Sequence, residues 1–169
     1  MVLRGLVDYD ICNYKVPSIF IIFPYCTFKC DKECGMKVCQ NSELANEPLI
    51  EIEPRDIIVR YLNNPLTHAL VCGGLEPFDS REDLCHLISS FRKVSQDTVV
   101  IYTGYNEYEI EQDIKELKKF NNIIIKFGRF VPNDRPHYDS NIGKVLSSRN
   151  QYSKLYLNDK EWDSRCFNE

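Results

Sequence analysis

Residues 23–41, FPYCTFKCDKECGMKVCQN, hold four of the chain's eight cysteines: Cys26, Cys30, Cys34 and Cys39. The stretch directly follows an apolar run, Ser18–Phe23 (SIFIIF), that reads as a buried β-strand. The cysteines therefore fall in a loop at a strand end, among Lys29, Asp31, Lys32, Glu33 and Lys37. A thiol buries well as a small hydrophobe, and one would suffice for packing; four in a polar loop point to thiolates converging on a metal. Three chemistries compete for them. Disulfides suit a secreted domain. Zinc would take four thiolates in a closed tetrahedron, although the x3, x3, x4 spacing lacks the paired C-x2-C knuckles of structural zinc sites. An iron–sulfur cluster accepts looser spacing, and the loop favours it.

On either side of this loop the chain alternates strand and helix patterns. Residues 1–16 are mixed and read as an extended lead-in, and residues 41–48 as a polar connector. Glu53-Pro54 opens a helix with proline in its first turn, with Ile57, Ile58, Tyr61 and Leu62 on one face, and Asn63-Asn64-Pro65 stops it. HALVC, from His68 to Cys72, is a strand ending at Gly73-Gly74. Asp79 or Ser80 is placed to cap a second helix with Leu84, Leu87, Ile88 and Phe91 inward. TVVIY, from Thr98 to Tyr102, runs into Thr103-Gly104-Tyr105, and a third helix follows with Ile110, Ile114 and Leu117 inward. NIIIKF, from Asn122 to Phe127, closes on Gly128, Lys154 to Leu157 reads as a last strand, and residues 158–169 read as a loose tail. This order is the α/β signature and predicts one domain over residues 1–169 with a mainly parallel sheet. Ligands of such sheets gather at the carboxyl ends of the strands, where the cysteine loop, Gly73-Gly74, Tyr102 to Tyr105 and Gly128-Arg129 all fall.

The bulk numbers exclude several classes. The 169 residues are 43% hydrophobic and 27% charged, an ordinary globular composition without a disorder signature. A net charge of −4 argues against a general nucleic-acid or membrane-surface binder. No apolar run approaches a membrane span or the core of a secretory signal, so a reducing cytoplasm is the expected location. His68, His86 and His137 form no zinc motif, and neither a phosphate-binding Walker loop nor a nucleophile elbow is present. Cys72 and Cys85 fall where free cysteine is usually core, and Cys12 and Cys166 near the termini are given no chemistry.

Six segments in order resemble the radical S-adenosylmethionine (SAM) superfamily, in particular the small activating proteins of anaerobic ribonucleoside-triphosphate reductase. Cys26-Thr-Phe-Lys-Cys30 matches the first half of that family's C-x3-C-x2-C loop, and Cys39-Gln40-Asn41 looks like its third cysteine. Gly73-Gly74-Leu75-Glu76-Pro77 resembles the Gly-Gly-Glu/Asp-Pro turn, and Tyr102-Thr-Gly-Tyr105 a signature after a middle strand. Phe127-Gly-Arg-Phe130 and Ser147-Ser-Arg-Asn-Gln151 are similar to two later segments. The cysteine spacing departs from the pattern, being x3 then x8 with Cys39 as third ligand, or x3 then x3 with Cys34. Cys39 is preferred because Gln-Asn follows it and the apolar Val38 precedes it. Cys34 is then a spare thiol, a weak fourth ligand or a redox bystander. Leu75 is inserted in the turn, which leaves direct contact by Glu76 open.

The resemblance implies a compact partial (β/α) barrel and a 4Fe-4S cluster held by Cys26, Cys30 and Cys39. It implies SAM bound near Gly73, Gly74, Glu76, Tyr102, Gly104, Phe28 and Val38, with Tyr105 either lining the adenosine site or packing, and Arg129 or Arg149 meeting the SAM carboxylate or a partner. It further implies an external one-electron donor such as flavodoxin or ferredoxin. The radical acceptor is then a large glycyl-radical enzyme subunit, anaerobic ribonucleotide reductase being the specific expectation. Two alternatives stand: a small radical SAM enzyme acting on a metabolite or peptide, and a non-enzymatic zinc or iron–sulfur binding module.

Overall fold

β-branched and aromatic runs set the sheet, and helical apolar stripes cover it. The computed structural model describes residues 1–157 and 160–167. Its elements are β1 (Val2–Leu3), β2 (Gly5–Asp10), β3 (Ser18–Phe23), α1 (Lys29–Cys34), β4 (Ile50–Glu51), α2 (Pro54–Asn63), β5 (Ala69–Gly74), α3 (Arg81–Arg92), β6 (Thr98–Tyr102), α4 (Glu111–Leu117), β7 (Ile123–Phe127), β8 (His137–Asp139), β9 (Lys144–Leu146), β10 (Tyr152–Leu157) and β11 (Lys160–Asp163). Seven strands form one sheet in the order β11-β10-β7-β6-β5-β3-β2. The four inner strands β3, β5, β6 and β7 are parallel, each pair separated by a helical crossover, which makes the protein α/β as expected. The flanks are antiparallel: β2 returns along β3, and β10 and β11 extend the other side from β7.

Two stretches depart from expectation. The lead-in over residues 1–16 contains two strands, because β1 pairs with β4 and β2 finds a partner in β3 through a bulge between Val7 and Asp10. Within the expected loose tail, Lys160–Asp163 pairs along β10 with Trp162 opposite Leu155, and a 3-10 turn, Ser164–Phe167, follows. Residues 158, 159, 168 and 169 of that tail, and the Cys166 side chain, lie outside the described residues.

The sheet's two-residue period sorts its side chains between two cores. Ile19, Ile21 and Phe23 of β3, Leu70 and Cys72 of β5, Val99 and Ile101 of β6, and Ile123, Ile125 and Phe127 of β7 face the helices. There they meet Ile57, Ile58 and Tyr61 of α2, Leu84, Leu87, Ile88 and Phe91 of α3, and Ile114 and Leu117 of α4. Ala69, Val71, Val100 and Ile124 face the other way, against Tyr14, Ile142 and Leu146. α2 carries proline in its first turn, as its sequence predicts. Neither Asp79 nor Ser80 caps α3 with its side chain. The Asp79 carboxylate is instead engaged by the Thr27 N–H (2.8 Å) and the Tyr105 hydroxyl (2.6 Å). Among the described residues no helix is long and apolar enough to cross a membrane.

Candidate functional site

The carboxyl ends of the four parallel strands open onto a cavity of about 410 Å³. β3 leads into the cysteine loop, β5 ends on Gly73-Gly74, β6 runs into Thr103-Gly104, and β7 into Gly128-Arg129. Cys26, Cys30 and Cys39 all border the cavity. Cys34 does not; it ends α1 and is exposed.

Hydrogen bonds within the loop account for this placement. α1 is a single short helix with no buried residue, entered through Phe28 at φ 51° and left through Gly35 at φ 67°. The left-handed turn at Phe28 brings its N–H to the Cys26 sulfur at 3.3 Å. Asp31 Oδ1 then accepts from both the Val38 and the Cys39 N–H at 2.8 Å, folding the intervening residues back so that Cys39 faces the cavity. The Asn41 side-chain amide donates to the Gly74 carbonyl at 2.8 Å, tying the end of the loop to the glycine turn. Gly74 itself has φ +79°, and a Cβ there would lie 2.5 Å from Ile22 Cγ2 and 3.1 Å from Ile22 Cα, so the turn requires glycine.

Behind the glycine turn, Glu76 is buried and faces into the site. It accepts from the Gly104 N–H and the Thr103 hydroxyl, both at 2.8 Å, and from the Phe78 N–H at 3.2 Å. Burial nevertheless pushes its carboxyl up to about 7, against those hydrogen bonds. Leu75 is buried beside it, and both the inserted residue and Glu76 border the cavity. Burial likewise pushes the Cys26 thiol up to about 12 and lifts Cys30 and Cys39 above the ordinary thiol range. These thiols hold their protons until a metal displaces them.

Of the other residues singled out in the sequence, Gly74, Tyr102 and Gly104 border the cavity. Tyr102 donates its hydroxyl to the Asn13 carbonyl at 2.6 Å. Gly73 packs between Phe20 and Tyr102, and neither Phe28 nor Val38 lies on the cavity wall. Tyr105 packs against the helix-side core. Arg129 forms a bidentate pair with Glu109, both contacts at 2.7 Å, and Arg149 pairs at the surface with Asp134. Lys126 and Cys12, to which the sequence assigns no role, also border the cavity. Lys126 sits at the end of β7 on the same face as Ile124; a lysine at that register of an otherwise apolar strand was the available signal. Cys12 reaches the wall from the loop after β2, a long-range approach without a local sequence signature.

The donor set fits a cluster. Among the described residues no three His, Cys, Asp or Glu side chains gather tightly enough for one metal ion. Lys126 is 7% exposed, and its ammonium donates to the Gly128 carbonyl at 3.0 Å with no salt-bridge partner among the described residues. A buried cation so placed, bordering the cavity of the three thiols, suits an anionic guest. A family model for the 4Fe-4S single cluster domain matches residues 18–152. The chain belongs to that family. The match begins at the first residue of β3 and ends at the first of β10, so this 4Fe-4S single cluster domain comprises the parallel strands, their crossovers and the cysteine loop. No curated protein and no solved structure matches the chain.

Proposed function

We propose that this 4Fe-4S domain binds its cluster through Cys26, Cys30 and Cys39 and uses the iron left without a cysteine to engage SAM. The observation that carries the reading is the cavity itself, in which those three thiols share one space with Gly74, Glu76, Tyr102 and Gly104. Three thiolates leave one position of a four-iron cluster open. The 4Fe-4S single cluster domain also occurs in radical SAM-related proteins. A cluster held by Cys26, Cys30 and Cys39 would supply one-electron reduction of SAM, fed by an external donor such as flavodoxin or ferredoxin, to cleave its carbon–sulfur bond into methionine and a 5′-deoxyadenosyl radical.

The protein's own part is binding and exclusion. The Gly74 turn would offer backbone to the amino-acid end of SAM, and the Lys126 ammonium, on the same cavity wall, would meet its carboxylate. Glu76 holds the Thr103 hydroxyl and the Gly104 N–H, and Tyr102 would form wall for the nucleoside. The parallel strands, flanked by β2 and β10, support a partial (β/α) barrel whose strand ends carry the site. At about 410 Å³ the cavity stands at the small end of ligand pockets, with little room for a second small substrate beside SAM. The radical acceptor is therefore placed on a separate protein, and the resemblance of the motifs makes it a glycine of a glycyl-radical subunit, anaerobic ribonucleotide reductase in particular. That glycine would give a hydrogen atom to the deoxyadenosyl radical, leaving 5′-deoxyadenosine and a glycyl radical. A reducing cytoplasm fits a site of free thiols.

Anaerobic reconstitution with iron and sulfide, then dithionite reduction with SAM, tests the reading. The expected result is 5′-deoxyadenosine on chromatography and a cluster EPR signal perturbed by SAM. A reconstituted cluster indifferent to SAM would overturn it.

A further inference from the structure

Two residues of α1, Lys29 and Glu33, flank Cys30 in sequence and reach the same buried ion pair. Lys29 Nζ lies 3.0 Å from Glu109 Oε1, and Arg129 Nε lies 3.0 Å from Glu33 Oε1 without hydrogen-bond alignment. Between them, the Arg129 fork grips both oxygens of Glu109 at 2.7 Å. The outer partners are accessible and screened, with side chains 41% and 60% exposed, whereas those of Arg129 and Glu109 are 5% and 16% exposed. The strength of the network therefore resides in the inner pair. It also draws Glu109 into its ionised form, pulling that carboxyl down to about 2 through the hydrogen bonds from Arg129.

The pair belongs to neither α1 nor the sheet core. Glu109 ends the 3-10 turn after β6, where its Oε2 also accepts from the Asn106 N–H at 2.8 Å, and Arg129 follows β7. It thus joins two strand ends to the one helix that carries Cys30. The arginine also bears on the sulfur itself, because Cys30 and Arg129 line one small pocket together with Gly104 and Tyr105. At Gly104 a Cβ would lie 3.6 Å from Cys30 Sγ and 4.0 Å from Arg129 Cγ, which puts the arginine stem and the sulfur on the same small volume.

We infer that Arg129 and Glu109 are positioning residues for Cys30: their pair holds α1 on the ends of β6 and β7, keeps the arginine beside the sulfur, and so sets both the hold on the cluster and its reduction potential. The inference rests on the reading of Cys30 as a ligand but not on SAM chemistry. Hydrogen bonds and cations at a ligating sulfur stabilise the reduced, more negative cluster and raise its potential.

The test uses the full reconstituted chain without SAM, with iron release to a chelator and the EPR midpoint in a redox titration as its two readouts. In R129Q, loss of charged hydrogen bonds of this kind is expected to speed iron release about tenfold and to move the midpoint to more negative potential. R129K keeps the cation but not the fork, so its midpoint returns toward wild type while release stays fast. The double variant E109Q/R129Q leaves no buried charge unpaired and carries the test if R129Q fails to fold; it is expected to release iron faster than wild type. Wild-type release and midpoint in R129Q, or wild-type release in the double variant, would overturn the inference. A C30A chain that still holds a full cluster would instead overturn the reading of Cys30 as a ligand.

Discussion

Burial and hydrogen bonding pull Glu76 in opposite directions, and burial prevails, leaving its carboxyl near 7. The folded state thus prefers Glu76 protonated. The associated stability is fully present below the ordinary carboxyl value of 4.5 and is lost as pH rises through about 7. In the metal-free chain this amounts to at most about 3 kcal/mol across that window. Urea unfolding at a series of pH values is expected to show wild type losing its advantage over E76Q as pH rises; a constant difference would place the carboxyl at its ordinary value. The cysteines give a second prediction. C39A is expected to lose the cluster on reconstitution while C34A keeps it, because only Cys39 borders the cavity. Outer partners of metal ligands alone are worth about 10- to 100-fold in affinity, so a lost ligand costs at least that. Iron and sulfide analysis reads the difference, and equal loss in both variants would favour the binding module that needs all four loop cysteines.

Among the elements, the β6 and β7 approach depends on one side chain. Arg92 at the end of α3 donates to the carbonyls of Ser95, Asp97, Phe120, Asn121 and Asn122, stitching together the turns that precede both strands. R92A is expected to cost about 3 kcal/mol or more in urea unfolding, and R92K not to restore it, since one ammonium cannot span five acceptors. The elements legible in the sequence are those whose pattern is local. SIFIIF, TVVIY and NIIIKF announce buried strands, and Leu84, Leu87, Ile88 and Phe91 announce a helix face. β2 was not legible, because Val7 and Tyr9 are exposed on an edge strand whose order comes from β3. α1 carries no legible signature, because it buries nothing and has no apolar stripe. The site divides the same way: the glycine turns and cysteines stand out as residue types, whereas Lys126 and Cys12 acquire their meaning only from a cavity assembled by distant segments.

At the scale of the molecule, the two cores are built by the sheet, α2 to α4, and the loops holding Tyr14 and Ile142, with no member from the cysteine loop. Stripping the cluster is therefore expected to leave far-UV circular dichroism and cooperative unfolding intact, while proteolysis becomes concentrated between residues 25 and 47. A metal-dependent collapse would instead identify the site as a structural staple, as in small zinc domains.

That separation bears on how such a chain changes over generations. Since α1 contributes no buried side chain, the distance between Cys30 and Cys39 is not counted by the strand register. Residues can enter or leave this stretch as they do in a surface loop, provided an acceptor such as Asp31 still gathers the returning backbone. The unusual spacing of the cysteines is then the drift that a cofactor-holding appendage permits beside cores it does not help to build.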